Sequence, residues 1–390
     1  MDISFYFDPV TIHLESADSG QYRQKLGELI KIFSDKNNFP DTSNCDIAIL
    51  GINEDRNAIT NMGCASAPDH VRKYLYQLHS GNFNMNIVDL GNIKPGFTIE
   101  DTYFAVSTVL SELLKNNIVP VIIGGSQDLT YANYLAYENL GQIINIVQID
   151  NSFDLGNTDD SLDSKTYLSK IITHQPNFLF NYTNIGYQTY FVDQKAIELM
   201  KNLYFDTYRL GVVRSNLQEV EPIVRNADMI SFDISAIRQS DAPGNENASP
   251  NGFYGEEACQ ITRYAGISDK LTSIGFYEIN PTMDNNYQTV HLTAQMIWYF
   301  IDGFYNRKKD FPYKQKEEYI KYVVSIKDHP DILFYKSKKS DRWWMEVPCP
   351  LNLQTKFERH YLVPCSYNDY ITSCKNDIPD RWWQAYQKLM

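Results

Sequence analysis

Val147-Gln148-Ile149-Asp150-Asn151-Ser152-Phe153-Asp154 is an apolar, β-branched run that stops abruptly in small and acidic residues. Two further stretches end in the same way: Val121-Ile122-Ile123-Gly124-Gly125-Ser126-Gln127-Asp128 and Met229-Ile230-Ser231-Phe232-Asp233-Ile234-Ser235. Each reads as a buried parallel strand that delivers its carboxyl end to a crevice. Open α/β sheets bind ligands beyond those ends, so the three segments are expected to converge on one site.

Around these runs, strand and helix patterns alternate. Strands are expected over 46–52, 86–90, 119–123, 144–149, 184–187, 229–233 and 272–279. Helices are expected over 67–78, 100–115, 129–136, 196–203, 256–265 and 290–305. Such alternation predicts a mainly parallel sheet covered on both faces, a three-layer α/β/α sandwich. Residues 1–44 read as an added edge segment with an amphipathic helix over 21–33. Residues 45–308 form the main domain, and 309–390 a polar, Lys-rich and aromatic extension packed on it.

The residues that mark the fold also resemble a known family, the arginase/agmatinase/formimidoylglutamase group of ureohydrolases. The family reads Gly-Gly-Asp-His-Ser, Asp-Ala-His-x-Asp and Ser-x-Asp-x-Asp at the three strand ends. Gly63-Cys64-Ala65-Ser66-Ala67-Pro68 with Val71-Arg72, Asp241-Ala242-Pro243-Gly244 and Tyr277-Glu278-Ile279-Asn280-Pro281 are similar to further family segments, in the same order. The resemblance spans roughly residues 45 to 305. It implies an arginase-like sandwich, and for active members two manganese ions that activate water for C–N hydrolysis of a linear amidine or guanidine such as formimidoyl-glutamate, agmatine or arginine.

The departures lie at the metal. The resemblance implies two histidine and four aspartate ligands. Carried over by position, the histidines become Gln127 and Ser152 and one aspartate becomes Ser235, while Asp150, Asp154 and Asp233 remain. Manganese favours carboxylate, water and imidazole, so the loss of both imidazoles and one carboxylate predicts no tight dimetal centre. Two accounts of the retained aspartates stand side by side. In one, Gln127, Ser152 and Ser235 donate hydrogen bonds to them. In the other, one hard cation sits on the three carboxylates, its shell completed by water.

Two more pocket residues follow from the resemblance. Glu257 falls near the family's guanidinium-binding acid, against an ordinary first-turn helix glutamate. His174 falls near its proton-shuttle histidine, against a surface histidine. The expectation is therefore a non-catalytic binding or scaffold homologue. The alternatives are a metal-dependent amidine hydrolase, or a sensor that binds such a ligand.

Composition narrows the partners. A net charge of −13 disfavours nucleic acid and anionic membranes, while an acidic pocket without metals suits a cationic small molecule. No transmembrane run or signal peptide is evident, and the six cysteines lack Cys-x-x-Cys spacing, which points to the cytoplasm. A homo-oligomer is a further expectation from the family. The extension carries Asp341-Arg342-Trp343-Trp344 and Asp380-Arg381-Trp382-Trp383. These tryptophans read either as anchors onto the core or as a surface for a protein partner.

Overall fold

The computed structural model describes residues 2–12, 25–81, 84–156, 161–312, 316–327 and 329–390. Ten strands build the main sheet: β1 (Phe7–Asp8), β2 (Lys31–Ile32), β3 (Ile47–Ile52), β4 (Ile87–Ile93), β5 (Val119–Ile123), β6 (Ile144–Ile149), β7 (Leu179–Tyr187), β8 (Asp206–Arg209), β9 (Met229–Asp233) and β10 (Ser273–Tyr277). Their spatial order is β1-β4-β3-β5-β10-β9-β6-β7-β8, with β2 also on β4. Every pairing is parallel except β1 with β4. Strands β3, β5, β6, β9 and β10 are buried along their whole length, which is why they read as continuous apolar runs rather than alternating ones.

Helices cover both faces. On one, Ala67–Leu75, Gly255–Gly266 and Gln288–Tyr305 pack over the sheet through Val71, Ile261, Ala265, Ile297 and Phe300. The last two helices cross at Gly266 and Gly303; a Cβ on Gly266 would stand 2.2 Å from the Phe300 carbonyl oxygen, so the contact requires glycine. On the other face lie Ile99–Lys115, Leu129–Asn139 and Tyr167–Thr173. Thr98 and Asp101 cap the first of these reciprocally. The result is the layered α/β/α sandwich expected from the alternating pattern.

The amino-terminal expectation needs correction. Instead of a helix over 21–33, the described part is one helical turn, Leu26–Leu29, followed by strand β2 on the edge of the sheet. Residues 21–24 lie outside the described residues. Leu26, Ile30 and Phe33 are buried, so the apolar spacing that suggested a helix is satisfied by a turn and a strand.

The extension forms its own antiparallel sheet, β11 (Tyr319–Val324), β12 (Ile332–Ser337), β13 (Trp343–Glu346) and β14 (Leu362–Cys365), in that order, backed by helices Tyr367–Cys374 and Asp380–Leu389. It docks on the amino ends of the main strands, opposite the acidic strand ends. Arg225 Nη2 donates to the carbonyls of Trp343 and Cys365 at 3.1 and 3.3 Å, and Arg359 Nη2 meets Asp228 at 2.6 Å. Trp343, Trp344 and Trp382 are buried, whereas Trp383 is 44% exposed. Arg225 lies over the Trp344 ring at 4.3 Å. The Trp382 indole N–H donates to the Glu346 carbonyl at 3.1 Å. The two Asp-Arg-Trp-Trp copies adopt different structures: the first leads into β13, which begins at Trp343, and the second opens the last helix.

Candidate functional site

Strands β5, β10, β9 and β6 are neighbours, and their register sets the carboxyl ends side by side: Tyr277 pairs with Asp233, and Ile149 with Phe232. Beyond β5 the chain turns tightly against the segment after β3. A Cβ on Gly125 would stand 1.7 Å from the Glu54 carbonyl oxygen, so that turn needs glycine. It carries the Gln127 backbone N–H to Glu278 Oε1 at 2.7 Å. Asp154 and Glu278 both sit at positive φ, 50° and 64°, a cost that ordinary residues bear where the surrounding structure fixes them at a site.

Asp150, Asp154 and Asp233 come together, each offering a carboxylate oxygen within 4.8 Å of the others, and all three are buried. Their main organiser is Gln148. On a strand, residues two apart share a face, so Gln148 lies beside Asp150 and its Nε2 donates to Asp150 Oδ2 at 2.6 Å, with a longer 3.4 Å approach to Asp154 Oδ2. Its carbonyl oxygen accepts from the hydroxyls of Tyr167 and Tyr182, which fixes the amide's orientation. Ser152 adds its backbone N–H to Asp150 Oδ1 at 3.1 Å and its hydroxyl to Asp154 Oδ1 at 3.1 Å. Ser235 donates only its backbone N–H, to Asp233 Oδ1 at 2.7 Å. Its hydroxyl makes no hydrogen bond of good geometry, and Asp233 Oδ2 has no partner among the described residues.

A cation completes the cluster. Lys165 Nζ stands 3.4 Å from Asp154 Oδ1, with a third of its side chain exposed. Burial disfavours its ammonium, but Asp154, Asp233, Asp150 and Glu278 outweigh that and hold it firmly protonated. The acids move the other way. Burial, with Asp154 and Asp233 adding repulsion, pushes Asp150 well above the usual carboxylate range. Burial raises Asp233 to about 6 despite Lys165. Burial, then Asp233, raises Glu278 to about 8.

Gln127 is placed differently from the hydrogen-bonded expectation. Its amide donates to Ser231 Oγ at 2.7 Å and approaches Thr130 Oγ1 at 3.4 Å, not to any of the three aspartates. Gln148 takes that role instead, through its two-residue offset from Asp150. His174 lies outside the cluster, its Nε2 2.8 Å from Glu138 and its Nδ1 3.0 Å from the Tyr131 hydroxyl. Glu257 is engaged as a first-turn helix glutamate. It accepts from the Tyr254 N–H at 2.8 Å and pairs with Arg214 at 3.1 Å. The acid that faces the cluster is Glu278, held by Asn61 Nδ2 at 2.8 Å and by the Gln127 backbone. Its place one residue beyond β10, directly after Tyr277, which pairs with Asp233, was the signal for it.

The cluster does not fit a dimanganese centre. It supplies three carboxylates and no imidazole, and a resident ammonium stands against one carboxylate. Two metals roughly 3.5–4 Å apart would need more ligands than these. In front lies an open cleft of about 610 Å³ whose walls include Asp154, Lys165, Asp193 and Glu246 with Phe153 and Phe191.

A model of the arginase family matches residues 45–302. Formimidoylglutamase of Staphylococcus aureus (strain MRSA252) is 26% identical over 266 residues, 65% of this chain and 85% of the relative. Formimidoylglutamase of Bacillus subtilis has a similar fold, with a TM-score of 0.67 at 20% identity over 75% of this chain and 96% of that one. Trypanosoma cruzi formiminoglutamase, solved with Mn2+, gives 0.65 at 19% identity over 73% and 100%.

Proposed function

The chain belongs to the arginase family, and from that premise we propose that it is a non-catalytic member whose cleft binds a ligand without turning it over. One observation carries this reading. The three positions that depart from the family's ligand pattern hold Gln127, Ser152 and Ser235, none of which offers an imidazole or a carboxylate, and the Gln127 amide nitrogen and the Ser152 hydroxyl are already engaged in hydrogen bonds inside the protein. Water activation by two metals would need those positions as ligands.

The cleft favours a cationic small molecule, since Asp154, Asp193 and Glu246 outnumber Lys165 along its wall. An amine or amidinium would be held by carboxylates at its mouth, while Phe153 and Phe191 cover its apolar part. The exposed Trp383 supports a protein partner bound through the extension, as a scaffold would use. Six free cysteines accord with a reducing, cytoplasmic setting. No helix among the described residues is long and apolar enough to cross a membrane.

The competing reading is a hydrolase of linear amidines that works with at least one cation; the unpartnered Asp233 Oδ2 favours it. Elemental analysis of purified protein, with turnover assays on formimidoyl-glutamate, agmatine and arginine, decides between them. The expected result is no stoichiometric manganese and no turnover, with a rise in Tm for at least one of the three ligands at about 1 mM. Two equivalents of manganese together with turnover would overturn the proposal.

A further inference from the structure

The loop before helix Tyr167–Thr173 is built to hold one lysine in place. Asp163 Oδ1 accepts from the Lys165 N–H at 2.7 Å, and Thr166 Oγ1 donates to the Ser161 carbonyl at 2.7 Å. The loop is tied back to the segment after β3: Ser164 N–H donates to the Asn57 carbonyl at 3.1 Å, and Asn57 Nδ2 to the Leu162 carbonyl at 2.7 Å. Two residues after Lys165, Tyr167 reaches Gln148. One turn therefore supplies both the hydroxyl that orients Gln148 and the ammonium beside Asp154.

An ammonium so placed is more than a surface charge on a flexible stem. Asp150, Asp154 and Asp233 converge within 4.8 Å, and a buried cluster of like charges requires a cation or loss of charge. Lys165 is the cation that the chain itself supplies. We propose that Lys165 is a built-in replacement for metal, its ammonium neutralising the aspartate cluster and fastening the 161–166 loop to the strand ends. This rests on the non-catalytic reading and deepens it, since it makes the cluster independent of added metal.

The test is thermal unfolding of the full chain in EDTA, and with manganese or magnesium chloride, for the wild type and for Lys165→Met, Lys165→Arg and Lys165→Met/Asp154→Asn. The wild type is expected to hold the same Tm in EDTA and in either salt. Lys165→Met should fall by about 5 °C or more in EDTA, because it leaves buried carboxylates without their partner, and regain at least half of that in one of the salts. Lys165→Arg should keep most of the wild-type Tm. The double variant should melt above Lys165→Met and lose the response to salt. Should Lys165→Met be insoluble, a soluble double variant supports the proposal and an equally insoluble one overturns it. A Lys165→Met protein that matches the wild type in EDTA, or is destabilised but indifferent to both salts, overturns it while leaving the non-catalytic reading intact. A wild type stabilised by either salt also overturns it. Stoichiometric manganese with turnover would sink the non-catalytic reading itself.

Discussion

Two buried aspartates bracket strand β9, and the protein treats them in opposite ways. Asp228 precedes the strand, at the end covered by the extension; Asp233 closes it, in the acidic cluster with Asp150 and Asp154. Burial would raise both. At Asp228, Lys270, Arg359 and His360 outweigh burial, and its carboxyl is held below the usual range. Arg359 approaches it at 2.6 Å and Lys270 at 3.6 Å, and the Asn145 N–H donates to it at 2.9 Å. At Asp233 one ammonium is shared among several acids, burial wins, and the carboxyl rises to about 6. One end of the strand is an electrostatic joint satisfied by its neighbours. The other carries stored repulsion, the usual mark of a site rather than of a structural contact.

This contrast fixes the pH dependence of stability, with opposite signs at the two ends. His360 is buried at the extension joint, and burial, then Lys270, depresses it to about 3 from 6.5. The unfolded chain takes up that proton first, so its contribution is present above pH 6.5 and is lost as pH falls towards 3. The loss is at most about 5 kcal/mol. Asp233 and Glu278 behave inversely. Their folded forms keep protons that the unfolded chain has released, so stability falls as pH rises from about 4 through 6 for Asp233 and through 8 for Glu278. Urea unfolding from pH 4 to 9 should give its maximum near the acid end, at about pH 4–5, and a decline from there to about pH 8, because above pH 4.5 the two acids together outweigh His360. A maximum above pH 8 would remove the distinction between the two ends.

Single substitutions sharpen it further. Asp228→Ala leaves Lys270, itself depressed to about 8 by burial, and Arg359 without their carboxylate. A loss of about 3–5 kcal/mol is expected at pH 7 from urea midpoints. Asp233→Asn should do the reverse. Its amide oxygen can still accept from the Ser235 N–H, and the cost of ionising a carboxyl held near 6 rather than 3.8 disappears. Stabilisation of about 1–3 kcal/mol at pH 7 follows, fading towards pH 4. Destabilisation of the same size would mean that Asp233 has a counter-charge as good as that of Asp228.

The satisfied end and the frustrated end were not equally legible. The three strand ends could be read because fully buried parallel strands are continuous apolar runs, and their small, acidic terminations are abrupt. Gln148 was within reach of the same logic, since it precedes Asp150 by two residues on one strand face. Gln127 misled because a ligand position carried over by alignment says nothing about which way an amide turns; here it faces Ser231. For Glu257 the sequence left two readings open, because a glutamate three residues after Tyr254 also suits a helix start, and the structure shows that first-turn glutamate. Lys165 had no signal at all: a lysine in a polar loop looks like any solvated lysine until the loop's path is known. The joint at Asp228 was equally hidden, because its partners Lys270 and Arg359 are 42 and 131 residues away.

The smallest effect separates anchoring from display within the extension. Trp382 is buried, stacks on Tyr386 at 5.1 Å and donates to Glu346, whereas its neighbour Trp383 is 44% exposed and touches Tyr386 from 5.7 Å. Truncating the first removes a core aromatic and should cost about 3–5 kcal/mol. Trp383→Ala should change stability by no more than about 0.5 kcal/mol, as surface substitutions generally do. If Trp383 serves a partner or a second copy of the chain, the same variant lowers association measured by light scattering or pull-down while its melting curve stays in place. A Trp383→Ala protein that melts like Trp382→Ala would make all four tryptophans anchors, and the extension would then be structure at the closed end of the sheet with no surface left to offer.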